Sequence, residues 1–175
     1  MDLYPMEPTD GTPVGIGPQF QRLSELVGDY SFQAQRRQIL DKITAPKWTY
    51  IIETEVPASV LGGGTIGNIL TDTGLTDVPI LGSFHASDVF LNWFGTIPEA
   101  VSRNTYHLMG VLVAFTHNLD PNTAGLQDVP NWPQYDSSKR QAMSWKEEGD
   151  VTVITDNFRS EGIDYLNEIK DSLRI

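Results

Sequence analysis

The 175-residue sequence contains no cysteine. This absence excludes a disulfide framework, a thiolate zinc site and a cysteine nucleophile within these residues. The sequence also lacks an Asn-x-Ser/Thr acceptor, so glycosylation gives no indication of secretion. Neither absence identifies the compartment, because secreted proteins also contain stretches without cysteine.

Basic charge and long apolar runs are also scarce. Lysine and arginine number 12 against 23 aspartates and glutamates, which gives a net charge of −11. A nucleic-acid binder needs a basic face to neutralise phosphates, so no nucleic-acid partner is expected. The apolar runs are too short to cross a bilayer, so no membrane span is expected. Met1–Pro5 has neither the basic region nor the apolar core of a secretory signal.

The residues that are present suit one ordinary packed domain, since 39% are hydrophobic. Residues 1–17 are rich in proline, glycine and aspartate, which predicts an irregular lead-in. Pro18 suits the first turn of a helix that ends at Gly28, and Asp29 suits the N-cap of a second helix through about Ile43. The side chains expected to face inward from these helices are Phe20, Leu23, Leu26, Val27, Phe32, Ile39 and Leu40.

Two apolar segments have the composition of sheet strands. Trp48–Thr54 is aromatic and β-branched, and Val78–Gly82 is a short segment typical of a buried strand. Residues 55–77, between them, predict a long Gly-rich surface loop. Both strands have the character of central strands, so they are expected to need neighbours from elsewhere.

The remaining pattern predicts more helices than strands. The elements are a short helix from Ser87 or Asp88 to about Phe94, a helix from about Glu99 to His117, a loop over Asp120–Gly125, an extended Trp132–Pro133 region, strands near Ala142–Lys146 and Val151–Thr155, and a helix from Ser160 to about Leu173. The buried faces expected on the two longer helices are Val101, Leu108, Leu112 and Phe115, and Ile163, Leu166 and Ile169. The fold class is therefore α/β, helix-rich, with a few strands of an incomplete sheet.

Two motifs bear on whether the chain binds a nucleotide or carries a serine nucleophile. Gly62–Gly67 matches G-x-G-x-x-G, but a dinucleotide site needs a strand before the motif and a helix after it. A loop precedes it here, so we expect no nucleotide cofactor, and a small-ligand module built on this loop is the weakest alternative. No G-x-S-x-G occurs, so no serine can be assigned as a nucleophile.

The three histidines differ in their settings. They are too scattered to form a metal triad, so no metal is expected. His107 and His117 lie on the predicted long helix, where a structural role is the expectation for both. His85 directly follows the strand Val78–Gly82, and functional groups of open α/β sheets lie just past the carboxyl ends of strands. A proton-shuttling imidazole at that place makes His85 the candidate catalytic residue.

The segment from Pro79 to Asp88 resembles the histidine loop of type-B carboxylesterases, Gly-x-x-His-Gly/Ala-x-Asp/Glu. The chain more specifically resembles the fungal lipases and sterol esterases of the Candida rugosa lipase type, in their C-terminal part. The blocks that carry this resemblance, in order, are Tyr4-Pro5, Gly11–Pro13, Pro18–Arg22, Leu26–Asp29, Arg36-Arg37, Asn118–Leu126, Asn131–Tyr135 and Asp156–Arg159.

The resemblance implies an α/β-hydrolase fold and a Ser-Glu-His triad in which His85 is the histidine. Asp88 matches an acidic position that we assign to loop and helix-cap structure. The serine and the glutamate would lie upstream of Met1, so residues 1–175 would form the C-terminal segment of a carboxylesterase domain. The loop at 55–77 is longer than the matching connection expected in the family. A secreted enzyme acting on lipid or sterol esters is implied.

Two main functions remain open at this point. The first is the histidine-bearing part of a carboxylic ester hydrolase, inactive by itself and completed by the missing N-terminal part. The second is a non-catalytic binding or assembly protein that reuses this half of the fold, by self-association or with a second chain.

Overall fold

The structure is a computed structural model that describes residues 3–4, 19–54, 83, 85–89, 103–146 and 150–173. The elements in these ranges are helix α1 (Gln19–Gly28), a π-helical segment (Asp29–Gln33), helix α2 (Ala34–Lys42), strand β1 (Tyr50–Ile52), helix α3 (Arg103–Asn118), a 3₁₀ helix (Pro121–Ala124), strands β2 (Gln141–Trp145) and β3 (Val151–Thr155), and helix α4 (Ser160–Leu173). The strands form a three-stranded sheet in the order β1-β2-β3. The prediction of a helix-rich α/β fold with few strands is therefore confirmed for the described residues.

The chain divides into two compact units. The first unit comprises Met1–Lys47, Tyr135–Arg140 and Thr155–Ile175, and the second comprises Trp48–Gln134 and Gln141–Ile154. Each unit has its own buried apolar cluster. The cluster of the first unit is Tyr4, Ala34, Ile163 and Leu166. The cluster of the second unit is Leu108, Val111, Trp132, Met143, Trp145 and Val151.

In the first unit, Gly28 does not end a helix and Asp29 does not cap one. Gly28 has helical angles, φ −62° and ψ −45°, and the backbone N–H of Ala34 donates to the carbonyl of Asp29. The helix therefore continues through a π turn from α1 into α2. A glycine followed by an aspartate resembles a helix boundary, but burial of Asp29 in an ion pair favours the continuous helix.

The predicted apolar face of these helices was largely wrong. Leu40 is buried and Leu26 packs against the core, whereas Leu23, Val27, Phe32 and Ile39 are exposed. The buried face of the helical stretch instead carries Asp29, Ala34, Arg37 and Leu40. Charged residues that form ion pairs therefore face inward, whereas a prediction from hydrophobicity alone places apolar residues on that face. Helix α4 matches its prediction from Ser160 to Leu173, with Ile163 and Leu166 buried.

In the second unit, β1 lies parallel to β2. Tyr50 pairs with Met143 and Ile52 pairs with Trp145. The predicted strand Trp48–Thr54 is confirmed but shorter, and the two C-terminal strands match their predictions. On α3, Leu108 is buried as expected, whereas Phe115 is 40% exposed. The predicted loop at Asp120–Gly125 contains the 3₁₀ helix, because the Asp120 side chain accepts from the backbone N–H of Asn122.

Several predictions fall outside the described residues. They are the lead-in at 5–17, the opening of the first helix at Pro18, the Gly-rich loop at 55–77 with Gly62–Gly67, the strand Val78–Gly82, the short helix beyond Val89, and the start of the long helix before Arg103. In the ranges that are described, we find no helix with both the length and the apolarity that a membrane span requires.

Candidate functional site

His85 lies in a turn that is fastened to the carboxyl end of β1. We call residues 83 and 85–89 the histidine turn. The hydroxyl of Ser83 donates to the carbonyl oxygen of Ile52, the last residue of β1, at 2.7 Å. Since β1 and β2 are parallel, their carboxyl ends form one edge of the sheet. The exposed imidazole of His85 therefore belongs to a turn at the edge where α/β proteins place functional groups.

The backbone of the histidine turn has an unfavourable conformation next to His85. Ala86 has φ 66°, in the left-handed region that residues with a Cβ rarely adopt. The N–H of Val89 donates to the carbonyl of Ala86 at 3.1 Å, and Ser87 is 2% exposed. Such strain persists only where the surrounding structure holds it. The turn is therefore a defined structure although the imidazole itself is exposed.

Asp88 holds the turn with both carboxylate oxygens. One oxygen accepts from the backbone N–H of Val89 at 2.9 Å. The other accepts from the hydroxyl of Tyr50, on β1, at 3.3 Å. These contacts agree with the loop role assigned to Asp88. The helix-cap role stays a prediction, because residues 90 and 91, whose N–H groups a cap would bind, lie outside the described residues. Neither Tyr50 nor Ser83 was singled out from the sequence, because the bond from Tyr50 to Asp88 crosses 38 positions.

The other two histidines lie on α3, as predicted. His107 is buried at 8% exposure, and His117 is exposed near the end of the helix. Within the described ranges, no group of three or more histidine, aspartate or glutamate side chains is placed to hold a metal ion.

An apolar cavity of about 230 Å³ lies in the second unit between the start of β1 and α3. Its lining residues are Trp48, Tyr50, Leu108, Val111, Leu112, Phe115, Pro121 and Trp132. The indole N–H of Trp48 donates to the carbonyl of Trp132, and that of Trp132 donates to the carbonyl of Thr49. Hydrogen bonds from both indoles therefore fix the two tryptophans of the cavity wall. The ring of Tyr50 belongs to this wall while its hydroxyl reaches the histidine turn.

The first unit contains a cluster of buried ion pairs, here called the ion-pair cluster and formed by Tyr4, Asp29, Arg36, Arg37, Asp156 and Arg159. Asp156 is fully buried and binds Arg37 at 2.6 Å and Arg36 at 2.7 Å. Burial by itself raises the pKa of Asp156, but the hydrogen bond from Arg37 and the positive charges of Arg36 and Arg37 lower it below its usual value.

A second carboxylate of the ion-pair cluster is Asp29, which is also fully buried. Arg159 binds it with two nitrogens, at 2.6 and 2.7 Å, and the hydroxyl of Tyr4 donates to it at 3.1 Å. Burial and the charge of Asp29 raise the pKa of Tyr4 to about 12. The hydrogen bonds that Arg159 donates to Asp29 hold the pKa of Arg159 above its usual value. The cluster is thus a structural network of ion pairs to which the Tyr4 hydroxyl adds a hydrogen bond.

The ion-pair cluster explains sequence blocks that carried the family resemblance without a stated role. Arg36-Arg37 and Asp156–Arg159 lie far apart in the sequence, yet they form one network in the first unit. Two of the guanidinium groups also lie against the ring of Phe158, with Arg37 at 4.7 Å and Arg159 at 5.1 Å from its ring centre. The sequence signal available for this network was a carboxylate, Asp156, in one of these blocks and a pair of arginines in the other.

Comparison with known proteins supports the resemblance to lipases. No protein-family model matches the chain. The chain is 30% identical over 174 residues to "Lipase 4" of Diutina rugosa, an alignment that covers 95% of this chain and 27% of the lipase. It is 29% identical over 179 residues to "Secreted lipase 1" of Botryotinia fuckeliana, covering 95% of this chain and 26% of that protein.

A third relative comes from another fungus. The chain is 26% identical over 170 residues to "Lipase 1" of Geotrichum candidum, covering 93% of this chain and 25% of the lipase. The chain thus spans about a quarter of the length of the curated relatives it matches. The resemblance predicted from the ordered blocks is confirmed, and the chain is related to the fungal lipases of the Candida rugosa type, matching their C-terminal part.

Proposed function

We propose that this chain supplies the catalytic histidine, His85, of a carboxylic ester hydrolase with an α/β-hydrolase fold. The observation that carries the proposal is the bond from Ser83 to the carbonyl of Ile52, which fastens the histidine turn to the carboxyl end of β1. The similarity to fungal lipases over 95% of the chain supports the same chemistry. An exposed imidazole at this edge is accessible to a reacting group.

In the proposed mechanism, the imidazole of His85 accepts the proton of a serine hydroxyl as that oxygen attacks the ester carbonyl. It then donates the proton to the departing alcohol. The sequence contains no G-x-S-x-G, so we propose that the serine belongs to a region outside these 175 residues. The family resemblance implies the same for the carboxylate that orients the imidazole. The chain alone is therefore inactive.

The proposed substrates are lipid or sterol esters. The relatives are named lipases, and the one from Botryotinia fuckeliana is named a secreted lipase. We propose the same substrate class and an extracellular location for the complete enzyme.

The test uses the chain alone and an extended enzyme, in which the chain is preceded by the region of Lipase 4 that lies upstream of the matched segment. The chain alone is expected to show no hydrolysis of p-nitrophenyl butyrate. In the extended enzyme, His85→Ala is expected to lower kcat by at least about a thousandfold. His117→Ala removes an exposed imidazole on α3 and is the matched control, with activity retained. Turnover by either form that survives His85→Ala would disprove the proposal.

A non-catalytic assembly protein is the second candidate. The observation that favours it is the apolar outer face of α3, where Tyr106 is 67%, Val113 57% and Met109 37% exposed. Exposed apolar patches often mark contact surfaces. Sedimentation velocity decides this point: a concentration-dependent dimer that Val113→Asp dissociates supports assembly, and a monomer at all concentrations contradicts self-association.

A further inference from the structure

Two residues on either side of His85 in the sequence form hydrogen bonds with β1. Ser83, before His85, donates to the carbonyl of Ile52 at 2.7 Å. Asp88, after His85, accepts from the hydroxyl of Tyr50 at 3.3 Å. Both partners on β1 are part of the strand that pairs with β2. The histidine turn is thus held at both ends by one strand of the sheet.

The conformation of the turn makes such anchors necessary. Ala86, next to His85, has φ 66°, which a residue with a Cβ adopts only when its surroundings enforce it. Within the turn, the bond from Val89 to the carbonyl of Ala86 closes a single turn. A lone turn of this kind is weak, so the direction of the imidazole depends on the bonds that tie its ends to β1.

Of the two anchors, the one made by Tyr50 is fixed by packing. The Tyr50 ring forms part of the wall of the apolar cavity and lies edge-on to Trp132, with ring centres 6.1 Å apart. A ring held in this way presents its hydroxyl from a defined position. Asp88 is in turn fixed by its second bond, to the N–H of Val89.

We propose that Tyr50, acting through Asp88, is a positioning residue that sets the place of the His85 imidazole. This inference rests on the proposed hydrolase function of His85. Tyr50 does not itself react. Its hydroxyl holds the carboxylate of Asp88, and Asp88 holds the turn in the conformation that places the imidazole at the sheet edge.

The first test uses the 175-residue chain and needs no enzymatic activity. Tyr50→Phe keeps the ring in the cavity wall and removes only the hydroxyl. Amide exchange of residues 85–89 is expected to accelerate about tenfold, while exchange in β2 and β3 stays unchanged. Tyr106→Phe, the same substitution at an exposed site on α3, is the control. Unchanged exchange at residues 85–89 in Tyr50→Phe overturns the proposal.

The second test separates positioning from a general loss of structure. In the extended enzyme, Tyr50→Phe is expected to lower kcat about tenfold and to leave KM within about twofold, because the hydroxyl contacts the turn and not the substrate. In an Asp88→Ala background the same substitution is expected to have no further effect, since Tyr50 acts through that carboxylate. Additive losses, or a change confined to KM, contradict the proposal.

The two proposals fail in different ways. If His85→Ala retains activity, the catalytic assignment is wrong whatever Tyr50 does. If His85→Ala abolishes activity and Tyr50→Phe changes neither kcat nor amide exchange, His85 is catalytic and the positioning role is wrong.

Discussion

The ion-pair cluster and the histidine turn hold their polar side chains in opposite ways. In the cluster, Asp29 and Asp156 are fully buried and each binds an arginine at 2.7 Å or less. In the turn, His85 is exposed, and Ser83 and Asp88 on either side of it form hydrogen bonds to β1. The sequence blocks that resemble lipases therefore include both structural charges and the proposed catalytic imidazole, and burial distinguishes the two.

We therefore expect substitutions in the ion-pair cluster to affect stability and substitution of His85 to leave stability almost unchanged. A buried charge that loses its partner destabilises the fold strongly, whereas an exposed imidazole contributes little to stability. The variants below test this contrast.

Asp156→Asn is expected to have the largest effect on stability. It leaves Arg36 and Arg37 without their carboxylate, and Arg37 is only 3% exposed. The loss should be about 3–5 kcal/mol in the free energy of unfolding, measured by urea denaturation. His85→Ala should change it by less than about 0.5 kcal/mol.

The matched control is Asp164→Asn, the same substitution at an exposed position of α4, with an expected change below about 0.5 kcal/mol. Because the pKa of Asp156 is lowered in the folded state, its contribution is present above the ordinary pKa and is lost as the pH falls through the folded value. The wild-type protein should therefore lose stability below about pH 4, and Asp156→Asn should lose less. An equal acid loss in both would contradict the role of this carboxylate.

The loss of folding stability at alkaline pH is expected to depend on Tyr4. Its pKa is raised to about 12, so the folded state favours the neutral phenol. The stabilisation is therefore complete below the ordinary tyrosine pKa of about 10 and is lost as the pH rises toward 12. Unfolding measured from pH 9 to 12 should show a steeper decline in the wild-type protein than in Tyr4→Phe. Tyr106→Phe, at an exposed tyrosine, should leave the decline unchanged.

The smallest expected effect concerns two helical glycines of the first unit. A Cβ at Gly162 would lie 3.0 Å from the hydroxyl oxygen of Tyr4, whereas a Cβ at Gly28 would meet nothing within 4 Å. Alanine favours both helices by about 1 kcal/mol, so this gain cancels between the variants. Gly162→Ala should therefore unfold about 1–3 kcal/mol more easily than Gly28→Ala in thermal denaturation. Equal stabilities would show that Tyr4 moves aside freely.

Local pattern was sufficient to predict most of the regular structure. The alternation and β-branching of Val151–Thr155 and the helical spacing of Ile163 and Leu166 depend on neighbours in the chain. The continuous helix through Gly28 could not be predicted in this way. Its cause is the burial of Asp29 against Arg159, a pairing across 130 positions.

The candidate site was predicted in part for the same reason. The position of His85 after a predicted strand is a local feature of the sequence. The resemblance to the lipase family then implied its role as the histidine of the triad. The anchors at Ser83 and Tyr50 depend on how the turn folds back onto β1, which no local pattern states. His85 as the catalytic residue stays a prediction.

The π turn at Asp29–Gln33 has a consequence for how related chains align. A π turn contains one more residue than an α turn, so every residue after it is rotated by about 100° relative to a regular helix of the same start. Arg36 and Arg37 lie in the α2 part of this helix and point at Asp156 with that rotation included. A homologue without the extra residue would show a single-residue gap inside a helix, and its arginines would need to occur one position earlier, counted from the start of the helix, to reach the same carboxylate.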